Sequence, residues 1–70
     1  MRRSVKVLGV LALKYGGKDL ELKVMKSAAG FYLGTEFNDN PFTRESGYYD
    51  SKEDAQTALE KGTWDQRHTI

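Results

Sequence analysis

Seventy residues without a cysteine can build neither a disulfide framework nor a thiolate metal site, so the chain must stay folded by a thin apolar core or by association. A formal net charge of +1 makes a poor electrostatic case for a dedicated nucleic-acid binder, but it conceals an imbalance. Through Gly30 there are seven basic residues against two acidic ones, and from Phe31 onward four against eight.

The residues predict one small α+β domain over 1–70: an antiparallel sheet of three to four strands packed on one face by a single C-terminal helix, in the order β-β-β-β-α. Arg2 and Arg3 precede the apolar run Val7–Leu13 and so imitate a secretory leader. The run ends at Lys14 without a small-x-small cleavage site and is far too short to span a bilayer. Its β-branched residues Val5, Val7 and Val10, together with Gly9, favour a buried strand over residues 4–14, although period alone leaves a helix open for so short a run. Tyr15-Gly16-Gly17-Lys18-Asp19 reads as a hairpin loop, because paired glycines allow the positive φ of a tight reversal. Leu20, Leu22 and Val24 then alternate with Glu21, Lys23 and Met25 in a strand over 19–26.

Ser27-Ala28-Ala29-Gly30 is a second reversal, and Phe31, Leu33, Thr35 and Phe37 alternate in a strand over 30–37. Asn38-Asp39-Asn40-Pro41 is a third turn, followed by a strand over 42–49 whose charged residues Arg44 and Glu45 suit an exposed sheet edge. The stretch after Tyr49 is where most local signals agree. Ser51 can cap a helix over 52–61 with Asp54 three residues on, Glu53 and Asp54 suit the positive end of its dipole, and Gly62 supplies the stop. Ala55, Ala58 and Leu59 give this helix one narrow apolar stripe to lay on the sheet. In the tail, 62–70, Trp64 is expected to fold back onto the sheet or the helix end, and the residues after it to fray.

Side chains with chemistry are scattered. His68 is the one histidine, without a partner for a metal or a proton; Asn38-Asp39-Asn40 lacks the glycine and the closing glutamate of a calcium loop; no phosphate-loop glycine motif is present. No cofactor, no metal and no catalytic residue is expected, and the chain reads as a non-enzyme. One helix covers one face of the sheet, so Leu8, Val10, Ala12, Met25 and Tyr32 are the candidate interaction face, for a second copy of the chain or another protein. The alternative is a nucleic-acid-binding module in which Arg2, Arg3, Lys6, Lys14, Lys18, Lys23 and Lys26 meet phosphates and Tyr15 stacks on a base. In element order that layout is similar to the sheet-plus-helix DNA-binding modules of the AP2 and integrase type.

Gly30-Phe31-Tyr32-Leu33-Gly34-Thr35, Phe42-Thr43-Arg44-Glu45-Ser46, and then Tyr49, Ser51, Ala55, Ala58-Leu59, Gly62, Trp64 and Gln66-Arg67 resemble short bacterial proteins of uncharacterised function, of the kind carried on mobile elements or in genomic islands. The resemblance covers the second half of the chain. It implies a bacterial, cytoplasmic protein and carries over no catalytic residue.

Overall fold

The computed structural model describes residues 7–69. Its elements run α1 (Val10–Gly16), β1 (Lys23–Ser27), β2 (Gly30–Phe37), β3 (Asn40–Tyr49) and α2 (Lys52–Lys61). The three strands form one antiparallel sheet in the order β1-β2-β3. The α+β class and the antiparallel sheet therefore stand, whereas the order β-β-β-β-α is corrected: a helix precedes the strands, and two helices cover the sheet rather than one.

The correction falls on the apolar run. The strand expected over 4–14 is reduced, within the described residues, to an isolated antiparallel bridge between Leu8 and Glu21, after which the chain turns helical at Val10; residues 4–6 lie outside the described residues. Gly9 N–H donates to the Leu20 carbonyl at 2.8 Å and Leu22 N–H to the Val7 carbonyl at 2.7 Å, so the chain does double back as a hairpin would, with α1 inserted in the connection. Leu11, Ala12, Leu13 and Lys14 are all good helix formers, and the β-branched residues that argued for a strand cluster ahead of them. Gly17 closes the helix in the left-handed region, its N–H donating to the Leu13 carbonyl at 2.9 Å while the Lys18 N–H donates to the Ala12 carbonyl at 3.2 Å.

The two tight hairpins follow their turn residues. Ala28-Ala29 joins β1 to β2, and Asn38-Asp39, at φ 53° and 63°, joins β2 to β3 with the paired positive dihedrals that suit the twist of the flanking strands. Pro41 sits near the start of β3, an edge strand, where its missing N–H costs the ladder least. The β2–β3 register is irregular. Tyr32 lies opposite Tyr48 and Gly34 opposite Arg44, so β3 spends four residue steps where β2 spends two, and Glu45, Ser46 and Gly47 form a bulge.

Both helices lie on one face of the sheet. α2 packs against all three strands, and its stripe behaves as the spacing requires: Ala55 and Ala58 are buried against Leu33, with Val24, Phe31, Tyr49, Leu59 and Trp64 around them. Ser51 Oγ accepts the Asp54 N–H at 3.1 Å as N-cap, and Gly62 at φ 68° ends the helix in a conformation that a side chain would strain. α1 packs against β3 further along the same face. Among the described residues no helix is long and apolar enough to cross a membrane.

Candidate functional site

The residue that fixes α1 is Glu45. Placed by the bulge in the middle of β3, it is fully buried; β3 is an edge strand, as the charges of Arg44 and Glu45 suggested, but the Glu45 carboxylate is not exposed on it. Its Oε1 accepts the Leu11 N–H at 2.9 Å and Gln66 Nε2 at 2.9 Å, and its Oε2 accepts the Ala12 N–H at 3.1 Å and the Thr43 hydroxyl at 2.9 Å. Leu11 and Ala12 stand in the first turn of α1, where N–H groups have no partner within the helix and the dipole favours negative charge. The N-cap residue, Gly9, contributes no side chain. A carboxylate from 34 residues away in the sequence does the capping instead.

The close fit explains the residues around it. A Cβ on Gly9 would collide with Glu45 Oε2 and lie 2.6 Å from Thr35 Cγ2, so only glycine lets the backbone come this near. The Thr43 proton is committed to Glu45, which makes Thr35 the donor in the Thr35–Thr43 hydroxyl pair and gives the cluster a single direction. Ser46, next along the bulge, accepts the Leu33 N–H at 2.9 Å and donates to the Gly47 carbonyl at 2.8 Å, replacing ladder bonds that the bulge removes. Every buried side-chain nitrogen and oxygen among the described residues has a partner. Burial alone would push the Glu45 carboxyl up, and it is the largest single influence. The bonds from Leu11, Gln66, Thr43 and Ala12 together outweigh it and hold the group below its usual 4.5.

The C-terminal tail belongs to this centre, contrary to the expectation that it frays. Arg67 N–H donates to the Glu45 carbonyl at 3.0 Å, Trp64 Nε1 to Gln66 Oε1 at 3.2 Å, and the Tyr15 hydroxyl to the His68 carbonyl at 3.3 Å. Trp64 packs on the α2 core, as expected, and from there the chain runs as a strap over Glu45 to α1.

The face named from the sequence is not one surface. Ala12 is fully buried, Met25 and Tyr32 belong to the sheet face opposite the helices, and only Leu8 and Val10 remain prominent, at 46% and 49% exposed. Leu13, one helical turn from Val10 and 53% exposed, joins them, although in a strand it would face away from Leu8 and Val10. The three aliphatic side chains thus lie within six residues on and beside α1, which makes its outer edge the main exposed apolar feature of the helical side. On the opposite sheet face the Tyr32 ring lies over Gly34 and edge-on to Tyr48 at 5.8 Å, while the Arg44 guanidinium stacks 4.4 Å from the Tyr48 ring and Lys23 pairs with Glu36 at 2.9 Å. Burial beneath its neighbours, then Tyr48, raises the Tyr32 phenol; the Glu36 bond raises Lys23.

The candidate nucleic-acid contacts are dispersed. Arg2, Arg3 and Lys6 lie outside the described residues. Lys14 and Tyr15 stay together at the end of α1, with Lys14 Nζ 5.3 Å from the ring. Lys18 covers Phe37 at 4.2 Å, and Lys23 and Lys26 point to opposite faces of β1, the latter over Phe31 at 5.5 Å. Among the described residues no three of histidine, cysteine, aspartate and glutamate come together as a metal site would need. Comparisons of the chain with protein-family models, with curated proteins and with solved structures found no match.

Proposed function

We propose that this protein is a non-enzymatic, self-associating interaction module of the cytoplasm, and that two copies meet through the outer edge of α1. The observation that carries the reading is the group Leu8, Val10 and Leu13, each about half exposed on a chain with few large aliphatic residues to spare. Val10 and Leu13 share one side of a short helix, so two copies related by a two-fold axis could interleave them. Sedimentation should detect dimers at high micromolar concentration and a monomer for Leu13→Glu, with the far-ultraviolet circular dichroism unchanged because Leu13 is outside the core. A wild-type chain that stays monomeric at that concentration would sink the reading.

A nucleic-acid-binding role through the first hairpin is the second reading. Its support is the pairing of Lys14 with Tyr15 at the end of α1, a cation beside an exposed ring. Titration with mixed DNA and RNA fragments decides it: affinity that falls steeply with salt favours it over self-association, and no binding at low salt removes it.

A further inference from the structure

We infer that the C-terminal strap, residues 64–68, controls whether α1 is helical and thereby governs the edge formed by Leu8, Val10 and Leu13; the inference rests on the reading of that edge given above. A helix of seven residues is about half the length at which an isolated helix becomes even marginal in water, so α1 exists through its tertiary anchors. These are the burial of Leu11 and Ala12, the Glu45 carboxylate on their N–H groups, the Phe42 ring lying against Gly16, and the bond from Tyr15 to His68.

The strap supplies the last of these and sets the strength of the second. Gln66 occupies Glu45 Oε1 and Arg67 N–H closes on the Glu45 carbonyl, so the strap lies across the residue whose carboxylate holds the helix. Kept dry, an ionised acceptor binds N–H groups strongly. Once water reaches it, water competes for the same lone pairs and the bonds to Leu11 and Ala12 fall to the modest net worth of a solvated contact. Trp64 sits on the α2 core and anchors the near end, which confines any undocking to the residues after it. Lifting the strap therefore loosens α1 and disperses Val10 and Leu13, while the core of Leu33, Ala55 and Ala58 stays packed.

Amide hydrogen exchange on the full chain, at a concentration where it is monomeric, tests this with Gln66→Ala, Tyr15→Phe and the double variant. Exchange at Leu11, Ala12 and Gly17 should quicken about tenfold in Gln66→Ala, less in Tyr15→Phe and most in the double variant, with Leu33 and Ala58 unchanged. Equal acceleration at all five amides would show that Gln66 serves global stability alone and overturns the inference, as would unchanged rates in α1. Because exchange is read on the monomer, a chain that never dimerises sinks the association reading without disturbing this result.

Discussion

Under α2 the helix-covered face of the sheet is closed by carbon: Leu33 meets Ala55 and Ala58, and Val24, Phe31, Tyr49, Leu59 and Trp64 complete the contact. Two residues further along β2, under α1, the same face is closed by Thr35, Thr43 and Glu45. The first half needs only apolar side chains at helical and strand spacing, and it tolerates small adjustments because hydrophobic contacts have no direction. The second is directional throughout. Each oxygen of Glu45 has two donors, the four being drawn from α1, β3 and the tail, and the backbone approaches too closely for any residue but glycine at position 9. What the difference teaches is that burial in so small a protein can be completed by a charge, provided that a helix N-terminus, a hydroxyl and an amide are all brought to it.

The comparison breaks most visibly at Glu45 itself. In Glu45→Gln one carbonyl oxygen replaces two carboxylate oxygens, and the new amide N–H groups face existing donors whichever way the side chain is turned. The expected loss is about 3–5 kcal/mol, a large part of what holds a chain of this size together. Urea unfolding measures it. A loss under about 1 kcal/mol would mean that the polar half is an ornament on the apolar one.

Acid applies a related change without mutation. The folded carboxyl titrates below its usual 4.5, so its contribution to stability is complete above that value and is lost as the pH falls through the folded pKa. Protonation puts a hydrogen where a donor already points. Below pH 4.5 the Leu11, Ala12 and Arg67 amides should lose protection before the Leu33 amide does. Simultaneous loss at all four would show that the two halves do not separate.

The halves also differ in how far they can be read from residues alone. α2 is legible because its determinants are local: Ser51, Glu53, Asp54, the Ala55-Ala58-Leu59 stripe and Gly62 lie within twelve residues, and the helix runs from Lys52 to Lys61 as the spacing predicts. The hairpins at Ala28-Ala29 and Asn38-Asp39 are legible for the same reason. α1 is not, because a run of Val, Leu and Ala serves strand and helix alike and its cap is a carboxylate on a distant strand. The inward placement of Glu45 is hidden as well, since a bulge shifts the face of every residue that it displaces and leaves no mark in the polar-apolar alternation. Leu13 stays outside the candidate face for the same reason, since a strand would turn it away from Leu8 and Val10, and the docked tail runs against the usual behaviour of termini. The Gln66-Arg67 pair after a tryptophan could have suggested an anchored tail, but no residue of that segment names Glu45 as its partner.

Ser51→Ala is the smallest change that still sharpens the comparison. It removes the hydroxyl that accepts the Asp54 N–H at 3.1 Å and leaves that donor to water, which can reach it because Asp54 is exposed. The helix keeps Glu53 and Asp54 near its positive end and its stripe on Leu33, so the expected loss is about 1 kcal/mol. Both helices begin on an oxygen acceptor, but the serine is local, neutral and wet, whereas the glutamate is remote, charged and dry. If the two caps cost the same when removed, burial of Glu45 adds nothing to its bonds and the strap has nothing to protect; a ratio of about three or more, measured by urea unfolding under one set of conditions, ties the strength of the α1 cap to the exclusion of water.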